Sequence, residues 1–223
     1  METKFHAMPS VFVMEHDVPA EMVTDLNLYL DNYLKQKKRK SLAGTLVGQI
    51  KKGQQLLMDH EDKKIVEFSN MLCGLGAHYI NEFSRATGAT YKTNKQVAMD
   101  ELWSVHSYER DYNPIHSHGT KTLMGISATM WTKVPQQILD QPTAGTSDYS
   151  LYNSSGHSDG CLAFSYGQGH VTDGETLKPA PSFVIRPEVG KLYLFPSWLQ
   201  HMVYPFQGKG ERRTVAANLN CWD

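Results

Sequence analysis

Residues 191–205 read KLYLFPSWLQHMVYP. An apolar run from Leu192 to Phe195 stops at Pro196. A second one, Met202 to Tyr204, begins directly after His201. Short aromatic and branched runs broken by proline read as β-strands rather than helix. A histidine at the junction of two such strands can face the interior of a sandwich. Further candidate strands lie at Leu102–Tyr108, Thr122–Lys133, Cys161–Tyr166, Ser182–Ile185 and Arg213–Leu219, beside Lys191–Phe195 and His201–Pro205. Seven short strands in roughly 125 residues point to a sandwich, jelly roll or barrel.

Upstream of Lys95 the pattern is helical. Met22, Val23, Leu26, Leu30, Tyr33 and Leu34 fall at the spacing of an amphipathic helix, with Asp17 as a candidate cap and Pro19 in the first turn. The basic stretch Lys35–Lys40 reads as a solvated helix end, where cations suit the dipole. A second helix is expected from about Asp62 to Thr87, stopped by Gly88, with His78 packed inside it. The expected class is mainly β with a helical N-terminal part (α+β). One domain, 1–223, is expected, in which 1–95 covers a jelly-roll core at 96–223. A division near residue 95 would leave a sheet face uncovered. Asp140–Asp159 is a long polar connection, a reasonable place for substrate selection.

The chain has 223 residues, 22 basic and 23 acidic, for a formal net charge of -1, which speaks against a duplex nucleic-acid surface. No apolar run approaches the roughly 20 residues that span a bilayer, so no membrane partner is expected. Three widely spaced cysteines and no leader pattern point to a reducing, cytoplasmic setting. Oligomeric state is not legible.

Ten histidines make imidazole the best-supplied metal ligand. His116 and His118 lie two apart, so an extended backbone puts both on one face. Alone, such a pair is equally well two polar residues on a strand edge. His201 would complete a three-histidine set with open positions. Arg212 and Thr214 follow the turn Gln207–Gly210. If residues 201–206 and 211–219 form a hairpin, Arg212 lies about 13 Å along the sheet from the residue paired with His201. That gap suits a dicarboxylate held between a metal and a guanidinium fork. Trp103 and His106 read as core residues, Asn218 shares the face of Arg212, and His170 reads as surface.

The ordered set Trp103, Asn113-Pro114-Ile115-His116-Ser117-His118, Lys133-Val134-Pro135, Phe195-Pro196, His201 and Arg212-x-Thr214 resembles the 2-oxoglutarate/Fe(II)-dependent dioxygenases, most nearly the oxygenases of bacteria and tailed phages. The likeness covers roughly residues 100–220, with a looser match at Leu46–Ile50. It implies a double-stranded β-helix (cupin-like jelly roll) holding Fe(II). His116 and His201 would be ligands, and Arg212 with Thr214 would bind the far carboxylate of 2-oxoglutarate. Most of the superfamily has Asp or Glu where His118 stands. Either His118 is the third ligand or another group supplies it, such as Asp159 of His157-Ser158-Asp159. The implied activity is hydroxylation of a substrate left open, with no catalytic residue beyond the metal ligands. Two other functions fit the same residues: a cupin-like three-histidine metalloenzyme that does not use 2-oxoglutarate, and a non-catalytic jelly-roll binding module.

Overall fold

The structure is a computed structural model that describes residues 11–45, 48, 50, 53–88, 96–122, 124–140, 158–166 and 182–222. Its strands are β1 (Met14–Asp17), β2 (Gln54–Leu57), β3 (Gln96–Ser107), β4 (Asn113–His116), β5 (Gly125–Lys133), β6 (Leu162–Ser165), β7 (Ser182–Ile185), β8 (Lys191–Pro196), β9 (Gln200–Val203) and β10 (Arg212–Trp222). Its helices are α1 (Ala20–Lys35), α2 (Val66–Thr87) and the single turn α3 (Gln136–Leu139). The strands form two antiparallel sheets. The major one runs β1-β8-β5-β10-β3-β2 and the minor one β4-β9-β6-β7.

Side-chain alternation divides each central strand between two environments. On one face of the major sheet, Ala128, Met130, Leu192, Leu194, Val215, Ala217 and Leu219 pack with Leu26 and Leu30 of α1 and Phe68, Leu72 and Ile80 of α2. On the other face, Trp131, Tyr193 and Phe195 meet Leu162, Phe164 and Ile185 of the minor sheet. Gly76 lets α2 come close to the major sheet, since a Cβ there would sit 2.9 Å from Leu219 and Val97. Gly88 ends α2 with φ of 68°, a left-handed conformation that glycine adopts at little cost.

All seven expected strands and both helices are present, and the class is mainly β. Three strands went unread. β1 and β2 lie in the part that reads as helical, and β4 carries His116. Their sequences MEHD, QQLL and NPIH are at least half polar, with a proline in the last, and lack the phenylalanine that helps reveal the equally short LAFS and SFVI of β6 and β7. Asp17 is not a helix cap: it ends β1 and pairs with Lys191 at 2.9 Å, and Pro19 takes the cap position. His78 is exposed on α2 rather than packed. The expected hairpin is absent. β9 pairs with β4 and β6, whereas β10 pairs with β3 and β5, so the Gln207–Gly210 turn crosses from one sheet to the other. His170, His157, most of Asp140–Asp159 and Leu46, Val47 and Gln49 fall outside the described residues.

Arg213 ties α1 to the sheet. It is 1% exposed, donates to both Glu211 carboxylate oxygens at 2.8 and 3.0 Å, and reaches Asp31 of α1 at 2.7 Å. Glu211 also accepts from His106 at 2.6 Å, so its carboxyl is held down at about 2 despite burial. Removing one member of such a network leaves its partners buried and uncompensated. Arg213→Met is expected to lower unfolding free energy by about 3–5 kcal/mol in urea denaturation. A loss under about 1 kcal/mol would show that the tether is not structural.

Candidate functional site

His116 closes β4, His118 stands two residues beyond it, and His201 lies on β9. The register places His116 directly opposite His201. His118 is turned inward by its own backbone, whose N–H donates to Ser197 O at 2.9 Å. One nitrogen from each of the three rings lies within 4.8 Å of the other two. Ring centroids are 4.3 Å apart for His116 and His201, 4.9 Å for His118 and His201, and 5.3 Å for His116 and His118.

The hydrogen bonds select one tautomer. Nδ1–H of His116 donates to Pro114 O at 2.7 Å, and that of His201 donates to Leu199 O at 3.0 Å. Nδ1–H of His118 donates to Asn218 Oδ1 at 2.9 Å, which also accepts from Ser127 Oγ at 2.8 Å. Each Nε2 therefore keeps a lone pair, the form in which histidine binds metal. In His116 that lone pair accepts from the Asn113 amide at 3.2 Å. Burial lowers all three basicities, His118 to about 4 and His201 to about 3, so the cluster stays neutral at ordinary pH. Among the described residues no Asp, Glu or Cys joins this cluster, and Asp159 is not part of it.

The three histidines line a cavity between the sheets with an empty volume of about 690 Å³, counting its open mouth. Arg212 and Thr214 line the same cavity from β10. With the hairpin absent, Arg212 faces the histidines across the sandwich rather than along one sheet. Arg212 is 3% exposed. Its Nη1 donates to Gly160 O and Tyr204 O at 2.9 and 3.0 Å, and Phe206 lies 5.5 Å from its guanidinium carbon. Its Nε is buried with no partner, and burial pulls its basicity down to about 10. None of the described ion pairs includes Arg212. A buried guanidinium with an unpaired N–H is a favourable place for a planar anion.

Trp103 is buried as expected, yet it also forms cavity wall, 5.5 Å from the His118 ring. His106 faces away, held by Ser104 and Glu211. Sequence reasoning missed Ser127 and the contact of Asn113. Asn113 stands inside the quoted motif, so its presence was visible and its role was not. Ser127 becomes significant only through strand register opposite Asn218.

Because the folded pKa values of His118 and His201 lie below 6.5, the unfolded chain binds protons that the fold refuses. Their contribution to stability is complete above about pH 6.5 and is lost as pH falls toward 3–4. Each contributes roughly 1 kcal/mol per pH unit within that window. Urea melts of metal-free protein between about pH 7 and pH 4 are expected to show this slope, shallower in His201→Gln. Equal slopes would place His201 outside a buried neutral cluster.

A family model described as "Putative 2OG-Fe(II) oxygenase" matches residues 101–218. Three solved structures share the fold. A prolyl-4-hydroxylase of Pseudomonas putida is 11% identical with a TM-score of 0.54, covering 93% of this chain and 91% of its own. A viral collagen prolyl hydroxylase of Paramecium Bursaria Chlorella virus-1, in its 2OG complex, is 12% identical with a TM-score of 0.51, covering 95% and 96%. HygX of Streptomyces hygroscopicus, with nickel and 2-oxoglutarate bound, is 8% identical with a TM-score of 0.53, covering 93% and 82%. No curated protein sequence matches. The fold is thus the double-stranded β-helix of these oxygenases. With more than half of its length matched, the chain belongs to the 2OG-Fe(II) oxygenase family and is a dioxygenase that uses Fe(II) and 2-oxoglutarate.

Proposed function

We propose that His116, His118 and His201 hold Fe(II), that Arg212 with Thr214 binds the far carboxylate of 2-oxoglutarate, and that the reaction is hydroxylation of a small-molecule substrate. One observation carries the cosubstrate assignment: a fully buried guanidinium with an orphan Nε, facing the cavity that the histidines line. A buried, unpaired cation is costly unless a counter-charge arrives, and a planar fork suits a carboxylate. The chemistry of the donor set fits iron. Imidazole is a common ligand for Fe(II), and three of them leave coordination positions open.

When bound, iron and 2-oxoglutarate supply the oxidation: with O2 they give succinate and carbon dioxide, and one oxygen atom enters a substrate C–H bond. The chain's own residues position and exclude. Pro114, Leu199 and Asn218 hold the imidazole Nδ1 protons, which fixes ring orientation. Phe206, Tyr204 and Gly160 hold the guanidinium at the far wall. Trp131, Leu162, Phe195 and Val203 line the cavity with apolar surface, which limits water. Three neutral histidines leave the metal's full charge uncompensated by protein, which favours a dianionic cosubstrate. Membership in the family favours this function over a cupin-like enzyme without 2-oxoglutarate and over a binding module.

Arg212→Ala is expected to weaken 2-oxoglutarate binding on the order of a hundredfold while Fe(II) affinity stays within a few-fold. His201→Ala is expected to abolish Fe(II) binding. Calorimetric titration under nitrogen reads both. Equal loss of iron and cosubstrate in Arg212→Ala, or unchanged iron affinity in His201→Ala, would contradict the respective assignment.

A further inference from the structure

A second chamber shares its wall with the first. Trp103, Asn113, His116 and His118 line both. The first is mostly apolar apart from the arginine end, whereas the second is polar. Strand register explains the difference. Glu101, Trp103 and Val105 alternate on the cavity face of β3. Asn218 of β10 pairs with Glu101, and Gln55 of β2 pairs with Val105. Three neighbouring strands thus bring Gln55, Glu101 and Asn218 to one surface beside the histidine cluster.

Glu101 is the only Asp, Glu, Lys or Arg among the described residues of that wall. It makes no ion pair with a described residue. Lys121 comes near, but its ammonium lies 2.6 Å from Asp100. Gln55 is 8% exposed, and its side-chain amide hydrogen-bonds to no described group. Asn218 already spends its oxygen on His118 and Ser127. What the chamber offers a ligand is therefore a carboxylate, a free amide and the aromatic wall of Trp103. A carboxylate and an indole both attract cations, the first by charge-assisted hydrogen bonds and the second through its ring.

We propose that this chamber receives the primary substrate and selects a molecule bearing an ammonium or guanidinium group, held by Glu101 with Gln55 and Trp103. The cationic end then anchors at β3 while a carbon further along the molecule lies beside His116 and His118. The catalytic part of this assignment rests on the iron and 2-oxoglutarate reading above. The binding part does not, and the test separates them.

The binding test titrates metal-free protein by calorimetry with two matched pairs of probes. Nα-acetyl-L-arginine amide is set against Nα-acetyl-L-citrulline amide, and Nα-acetyl-L-lysine amide against Nα-acetyl-L-norleucine amide. Within each pair the cation is expected to bind on the order of tenfold tighter or more. Glu101→Gln is expected to erase that preference, and Glu101→Asp to restore part of it. Neutral probes binding as well as the cations, no cation binding at all, or a preference that survives in Glu101→Gln would each overturn the proposal. Succinate release by the Fe(II)- and 2-oxoglutarate-loaded enzyme is then compared with and without the cation. If the cation binds through Glu101 yet 2-oxoglutarate does not bind, the chamber stands and the cosubstrate assignment fails.

Discussion

Two adjacent arginines on one strand meet opposite fates, and the site depends on that difference. Alternation sends Arg213 to the helix face and Arg212 into the space between the sheets. Arg213 finds Glu211 and Asp31, and its basicity rises. Arg212 finds two backbone carbonyls and a phenyl ring, and its basicity falls. Asp111 supports its charge, yet no ion pair among the described residues holds the guanidinium, which suits it to an incoming anion. A one-residue slip in β10 would exchange the two, breaking the tether and taking the Arg212 guanidinium out of the cavity.

The histidine end is prepared by the same means, backbone geometry rather than added charge. Two of the three Nδ1 protons rest on carbonyls within two residues of their own ring, so the local chain path fixes the ring. The third rests on Asn218, which shares its strand with Arg212 and Thr214. The cavity face of β10 therefore supports His118 through Asn218 and carries the Arg212 guanidinium at its first residue. Opposite it, β4 and β9 supply the remaining two imidazoles. The site is a product of two sheets facing each other, and neither sheet contains all of it.

Much of this was legible in the sequence because period-2 patterns and proline breaks report strands directly. The set His116, His118, His201, Arg212 and Thr214 could be named, and the structure gathers all five around one cavity. The route between them could not be read. Gln207–Gly210 looks like a hairpin turn, since turn composition does not say whether the next strand pairs with the last or crosses to another sheet. β1, β2 and β4 were silent because at least half of each is polar and none holds an aromatic residue, unlike the equally short β6 and β7. Ser127, Gln55 and Glu101 were silent for a different reason. Each is an ordinary polar residue on a strand, and only register with a distant partner gives it a place.

If the histidine cluster and Arg212 serve one ligand pair, that pair is a ferrous ion and a 2-oxo dicarboxylate chelated to it. The most direct test is anaerobic. Fe(II) is added to the protein, 2-oxoglutarate is titrated, and visible absorption is followed. A charge-transfer band is expected that grows with 2-oxoglutarate and saturates at one equivalent per chain. Iron binding without such a band, or no iron binding at all, would contradict this pairing.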